Sequence, residues 1–441
     1  MNRTRVIGLF SALAMAPALA NAADMDADHP TYAGEVSRII QDNCQICHQP
    51  GQIGPMSFTS YEEVRPWAPL IALKVAQREM PPYQYDSHVG VQELKGDWRM
   101  DQEDIDTIVA WVDAGSPMGN LEDLPPAREY PPIGEWRLAA ELGPPDHIIK
   151  SAAWDVPANG QDLWWEPEVD SGITESRCIK AVETLPSANA HGSTHHANSH
   201  FIVQNEAGRW VTGGRLSEFA YGKLGEMVPE GACRTAPANS KVGWSIHYYP
   251  DGNAVPDDQV SVGIWYQDED FKEDEAYPQD LRLYFLDGGG DYLIPPHGKL
   301  MTQGYHSFDH PVRIDSWQPH LHLRGVAMSM EVFDPTTGRK STISQASSWN
   351  AGWNHSHTYE DGYQPLIPAG ATLILTAWYD NSAANPHNPD PDQWVGAGQR
   401  TTDEMSHAWI SVTHLDDEGY EEMLAERKDR ENKVVANSGD D

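Results

Sequence analysis

Six side chains spread over residues 195–405 could hold soft metal ions between them: the adjacent pair His195-His196, then His247, the pair His320-x-His322, and Met405. Imidazole suits several transition metals, whereas a thioether sulfur selects for Cu(I). Met405 is therefore the discriminating member, because zinc and iron sites rich in histidine rarely use methionine. The ordered series HH, H, HxH, M is far more specific than any one of its parts. A second redox-capable group lies near the N-terminus in the run Cys44-Gln45-Ile46-Cys47-His48. In a CxxCH run the thiols form thioethers to haem vinyl groups and the histidine is the proximal iron ligand; a bare CxxC redox or zinc pair is the alternative. Met80, in Arg78-Glu79-Met80-Pro81-Pro82-Tyr83, is the first candidate for the second axial ligand, since the prolines hold the backbone extended behind it. Met56, His88 and Met100 are the other candidates. Copper and haem on one chain point to electron transfer feeding an oxidative reaction.

These ligands need particular elements to position them. Alternate residues of a strand share a face, so His320 and His322 can reach one ion from a strand. Adjacent residues point to opposite faces, so joint use of His195 and His196 requires a bulge or a strand end; Gly192-Ser193-Thr194 supplies a bend. His247 sits in the strand-like run Trp244-Ser245-Ile246-His247-Tyr248. Taken singly, each of these histidines is also an ordinary core or surface residue. His200, His355 and His357 are further possible ligands, for which packing is the simpler explanation. From Trp136 onward, short β-type runs at 199–203, 242–249, 259–266, 281–286 and 372–379 alternate with Gly, Pro, Asn and Asp clusters. That texture predicts antiparallel β-sandwiches, and about 280 residues is enough for two of them. Residues 34–43 and 101–114 read as helices, the second with apolar spacing at Ile105, Ile108, Val109 and Val112 and a stop at Gly115. The expected class is mainly β, two β-sandwich domains preceded by a small all-α cytochrome c domain. The expected boundaries are a signal peptide at 1–22, a haem domain at 23–122, a Pro-rich linker at 123–136, copper-binding β-domains at 137–278 and 279–415, and an acidic tail at 416–441.

Residues 1–22 carry Arg3 and Arg5, an apolar stretch and the small-residue run Ala20-Asn21-Ala22, the pattern of a secretory signal. A periplasmic or secreted protein is expected. The stretch is too short to span a membrane convincingly, and no later segment offers about 18 uninterrupted apolar residues. Thirty basic against sixty-six acidic residues give a net charge of −36, which makes nucleic acid and anionic membranes poor partners. Outside the CxxCH run stand only Cys178 and Cys233. In an exported chain they read as one disulfide, the alternative being two free thiols of which one ligates copper.

Residues 137–415 resemble the copper type II, ascorbate-dependent monooxygenases, the family of the peptidylglycine and dopamine enzymes. The resemblance rests on His195-His196, on Val242-Gly243-Trp244-Ser245-Ile246-His247-Tyr248, on Ile294-Pro295-Pro296, on His320-Leu321-His322 and on Thr402-Asp403-Glu404-Met405, in that order. It implies two jelly-roll-like domains with one copper ion on each: His195, His196 and His247 for an electron-transfer copper, His320, His322 and Met405 for an oxygen-binding copper. It implies dioxygen and a small organic substrate as partners, with hydroxylation of a C–H bond. The segment 379–391 resembles bacterial members, and its Asn and Pro residues read as turn formers. Three departures are informative. Gln318 replaces the arginine that holds the substrate carboxylate in the peptidylglycine enzymes, and His407 and Trp409 replace the polar and phenolic residues after the ligand methionine, so a peptide C-terminus is not the expected substrate. The disulfide set shrinks to Cys178–Cys233. The covalently bound haem c suggests that a cytochrome takes the place of ascorbate as immediate reductant, fed by a periplasmic donor such as a cytochrome, a quinol-linked protein or a small reductant. A copper or haem electron-transfer node, a copper carrier without oxygenase activity, and a haem-coupled dehydrogenase are the other function classes open to these residues.

Overall fold

The computed structural model describes residues 29–437 except 51, 53, 131, 221, 222, 224 and 287–291. The expected signal peptide lies outside the described residues. The chain forms two compact units: a smaller one made of the residues to Pro50, Gly54–Met80 and Met100–Arg128, and a larger one made of 51–53, Pro81–Arg99 and Glu129 onward.

The smaller unit is helical. Its main helices are Ser37–Asn43, Ala68–Ala76 and Gln102–Asp113. In the last, Ile105, Ile108 and Trp111 recur at helical spacing and bury one stripe. Gly115, at φ 87°, ends it in the left-handed region that glycine adopts without strain. The buried stripe meets Val36, Ile40, Val64 and Val75 in one apolar core.

The larger unit is mainly β and contains several sheets. Alternating burial, as in Ala232–Ala236 and Lys299–Ser307, marks strands with an inner and an outer face. Two separate apolar cores form. One gathers Ile179, Phe201, Leu216, Trp244, Ile246 and Ile264; the other gathers Trp317, Leu321, Met328, Leu375, Tyr379 and Ile410. One long sheet serves both. Val312–Leu321 pairs with Ser406–His414, which pairs with Tyr277–Phe285. Tyr277–Phe285 then runs parallel to Ala232–Ala236, whose other edge carries Arg177–Leu185 and, beyond it, Ser261–Tyr266. The Cys178–Cys233 disulfide ties two strands beside this seam, and the free-thiol alternative is set aside. Residues 81–99, which the sequence reading places with the haem domain, belong to the larger unit. Tyr85 and Leu94 are buried in its second core, and Leu94–Lys95 pairs with His357–Tyr359. The charged C-terminal stretch forms the helix Asp417–Asn437, longer than its sequence suggests, with Arg427 donating to the Gln364 carbonyl. No helix among the described residues is long and apolar enough to cross a membrane.

A buried polar network crosses the seam. Arg234 donates to Gln279, and Gln279 donates to Asp315, which also accepts from Arg313 and Thr413. On the other side Arg234 and Lys223 both pair with Glu226, at 2.8 and 2.9 Å. Burial alone would raise the Glu226 carboxyl, but Lys223 and Arg234 outweigh it and hold the group at about 2. Because the folded value lies below the ordinary 4.5, the stabilisation is whole above about pH 4.5 and is lost as pH falls towards 2. Glu226→Gln is expected to cost about 3 kcal/mol at neutral pH by leaving buried cations short of a partner. Urea unfolding at pH 7 and pH 3 checks this; an equal loss at both would contradict the assignment.

Candidate metal centres

The first cluster is built on two paired strands. In the register of Thr194–Gln204 with Lys241–Tyr248, His196 lies opposite His247, and the next pair is Thr194 with Tyr248. His195 is thus the extra residue of a β-bulge, the device that lets adjacent histidines turn to one centre. Ligating nitrogens of His195, His196 and His247 all lie within 4.8 Å of one another. His195 Nδ1 is 3.2 Å from Nδ1 of both His196 and His247. Lone pairs so close are poor neighbours unless a proton or cation sits among them, and such spacings suit imidazoles at about 2.0–2.1 Å from one ion. Asp162 Oδ2 lies 3.4 Å from His247 Nε2, so the carboxylate draws the ring proton to Nε2 and leaves Nδ1 for a metal. Trp164 stacks on the His247 ring at 4.1 Å and fixes its plane. Burial first, then the neighbouring imidazoles, push His196 well below its ordinary value; burial and His195 push His247 down to about 4. The rings are neutral at physiological pH, the state that binds metal without displacing a proton.

The second cluster lies at the end of Val312–Leu321. The rings of His320 and His322 are 5.3 Å apart. His320 Nδ1 is 3.0 Å from Asn354 Oδ1, and His322 Nδ1 is 3.1 Å from the Asp403 carbonyl. Each oxygen accepts, so each Nδ1 carries the proton and each Nε2 keeps its lone pair. Burial and His320 push His322 down to about 3. The run 402–405 is fastened to this histidine. Besides the Asp403 contact, the Glu404 carboxylate accepts from the backbone N–H groups of His322 and Arg324, at 3.1 and 2.5 Å. Met405 precedes Ser406, which pairs with Leu321, so the chain enters its strand beside the HxH segment. The Met405 carbonyl accepts from Tyr379 Oη at 2.8 Å.

The two clusters lie within electrostatic reach of each other. His320 is among the groups that lower His196, and His195 among those that lower His320 and His322. His407, opposite His320 in register, stacks on it at 4.5 Å. His200 stands apart from the triad and packs over Gly243, where a Cβ would meet its Nε2 at 2.6 Å. His355 and His357 are buried in a different place, ringed by Tyr83, Tyr85, Trp98 and Trp317.

In the smaller unit, His48 Nδ1 lies 3.1 Å from the Met56 carbonyl. The ring proton is thereby placed on Nδ1, and Nε2 is left as a ligand. Gly54 permits this loop, since a Cβ there would stand 2.6 Å from both His48 Nδ1 and the Cys47 carbonyl. Cys44 and Cys47 are not disulfide-bonded. Burial and the adjacent Cys47 push the Cys44 thiol up to about 12, the reverse of a reactive redox thiol. Of the axial candidates, Met80 is half-buried, Met100 is buried in the helical core, Met56 packs partly against that core, and His88 is exposed in the other unit. Residue types and spacing thus fit a haem at Cys44, Cys47 and His48, with Met80 left as the first axial candidate.

Asp162, Trp164, Asn354 and the Asp403 carbonyl were invisible as site components in the sequence. Asp162 and Asn354 lie in loops, Trp164 lies opposite His247 on the strand Leu163–Trp165, and Asp403 stands in the run that ends at Met405; no spacing rule links any of them to the histidine it orients. His407 stood out only as a replacement. No family model matches the chain and no curated protein matches it. Among solved structures, the chain is similar to the major capsid protein P2 of bacteriophage PM2 (8% identity over 61% of this chain and 98% of that one, TM-score 0.24). It is similar to a fucolectin from striped bass serum (10% identity, 61% and 86%, TM-score 0.16) and to tandem CBM22 domains of Paenibacillus barcinonensis Xyn10C (10% identity, 66% and 100%, TM-score 0.16). Likeness at these scores carries no argument about fold or function.

Proposed function

We propose that this chain is an exported, periplasmic or secreted, copper-dependent monooxygenase that hydroxylates a C–H bond of a small organic substrate with dioxygen, its electrons arriving through a covalently attached c-type haem. The observation that carries the reading is the pairing of two imidazole sets within one unit: a converging triad on a β-bulge, and an HxH pair at the end of a strand whose partner strand, Ser406–His414, follows directly on Met405. The reading includes two jelly-roll-like copper domains and a cytochrome c domain, and membership of the copper type II monooxygenases. His195, His196 and His247 would hold one copper, His320, His322 and Met405 the other, and Cys44, Cys47, His48 and Met80 the haem.

Copper held at these sites would supply one-electron redox chemistry, and the Met405 thioether would favour Cu(I). The protein's own contribution is positional. Asn354 and the Asp403 carbonyl orient the HxH rings, while Asp162 and Trp164 orient His247. His407 covers one face of His320 and limits approach from that side. The depressed proton affinities keep every ring neutral, so ligation does not compete with protonation near pH 7.

A metabolite screen with oxygen-18-labelled dioxygen tests the reaction class. The expected result is one labelled atom in a hydroxylated product, made only by copper-loaded protein supplied with an electron donor. An oxidised product without label points to a dehydrogenase, and the absence of any product with intact copper loading points to a carrier.

A further inference from the structure

Arg215, a cation without a carboxylate partner among the described residues, lies within electrostatic reach of His196 and His407. Its strand, Trp210–Ala220, pairs with Thr194–Gln204. Ser217 lies opposite Ser199, but Arg215 lies opposite His200, so Leu216 is an extra residue. That bulge turns Arg215 away from the face it would share with Ser217 and onto the face of His196 and Asn198. Leu216 itself is fully buried in the core.

The guanidinium donates to Asn198 Oδ1 and lies 3.5 Å from the centre of the Trp409 ring. Its Nε–H is buried and meets no acceptor among the described residues. Among the described residues no carboxylate lies within ion-pairing distance of it. Glu218 and Glu226 act on it only from further off, being held by Lys223, Gln318 and Arg234. Arg215, Lys223 and Arg234 thus face two carboxylates, and one positive charge is left over. Burial lowers Arg215 to about 10, so it stays charged at neutral pH. It is close enough to His196 and His407 to depress both. The residue as a whole still keeps part of its surface accessible. A buried, unpaired cation is costly, and a cation beside two metal sites is costlier still. An anion seated on the guanidinium relieves both.

We infer that Arg215, stacked on Trp409, is the recognition site for a monocarboxylate substrate. The inference rests on the copper-monooxygenase reading for the word substrate, but not for the binding itself. The single surplus charge favours a monoanion over a phosphate dianion. The Nε–H, which meets no acceptor among the described residues, stands beside Nη2, whose second N–H is not the one given to Asn198, and this pair of donors suits a carboxylate held by two parallel hydrogen bonds. Gln318, which is occupied by Glu218 and Lys223, takes no part in holding it.

The test is calorimetric titration of the copper-loaded full-length protein with acetate, hexanoate, benzoate and phenylacetate, each against its primary amide. At least one acid is expected to bind about tenfold or more tighter than its amide, the size of one charge-assisted bidentate contact. Arg215→Gln is expected to abolish that preference, and Arg215→Lys, which keeps the charge but not the fork, to restore it in part. If Arg215→Gln does not fold, as judged by circular dichroism, Arg215→Lys decides, with an expected weakening of about tenfold for the preferred acid. No acid preferred over its amide, a preference that survives Arg215→Gln, or equal binding by Arg215→Lys overturns the inference. Copper content measured on the same samples separates the outcomes: full loading without anion preference sinks only this inference, and failure to load sinks the copper reading.

Discussion

Met405→His is expected to lower oxygen-dependent turnover by about a hundredfold or more, because a harder nitrogen replaces the sulfur that favours Cu(I). The fold should survive. Met405 is only half-buried, and the contacts that fasten the run 402–405 to His322 come from Asp403 and Glu404, not from the methionine side chain. His320 and His322 retain their free Nε2 atoms, so the variant still binds copper, as Cu(II) rather than Cu(I). The haem spectrum is expected to be unchanged. Before a substrate is known, reoxidation of the dithionite-reduced protein by dioxygen is the readout, followed at the haem band and by copper electron paramagnetic resonance. If Met405→His reoxidises like the wild type, dioxygen does not react at His320, His322 and Met405.

The second large effect concerns iron. Met80→Ala is expected to convert a low-spin, Met-ligated haem spectrum to a high-spin one while leaving the haem covalently attached, because attachment depends on Cys44 and Cys47 and proximal ligation on His48. The hydrogen bond from His48 Nδ1 to the Met56 carbonyl is on the far edge of the ring from Nε2, so the proximal side is undisturbed. The protein must be matured in an exporting host for the thioethers to form. An unchanged spectrum would assign the sixth position to Met56, Met100 or His88. Failure of haem to attach in the wild type would return Cys44 and Cys47 to a thiol pair.

The candidate ligands were more legible than the groups that orient them. The His/Met series is a local property of side-chain chemistry and survives without knowledge of the fold. The requirement for a bulge at His195-His196 followed from strand geometry alone, and the register of His196, His247 and Thr194 with Tyr248 supplies it. The mainly β character was legible from turn residues and alternation. The sheet that serves both cores was not, because the parallel contact between Ala232–Ala236 and Tyr277–Phe285 joins runs that carry no shared pattern. Residues 81–99 were assigned by proximity in sequence to CxxCH, yet burial of Tyr85 and Leu94 places them elsewhere. The Arg215 bulge was illegible for a related reason: a one-residue slip inside an ordinary strand changes which face a side chain takes and leaves no mark on composition.

Copper titration of metal-free protein, followed by electron paramagnetic resonance against a competing chelator, tests the two-copper arrangement most directly. The expected result is two equivalents for the wild type. His247→Ala should remove one binding step and leave the other, His322→Ala should remove the complementary step, and the double variant should lose both. A single step abolished by either substitution would mean that the five histidines form one shared centre, and zinc in both positions after copper-replete growth would mean that the thioether does not select the metal; either result contradicts the proposed enzyme.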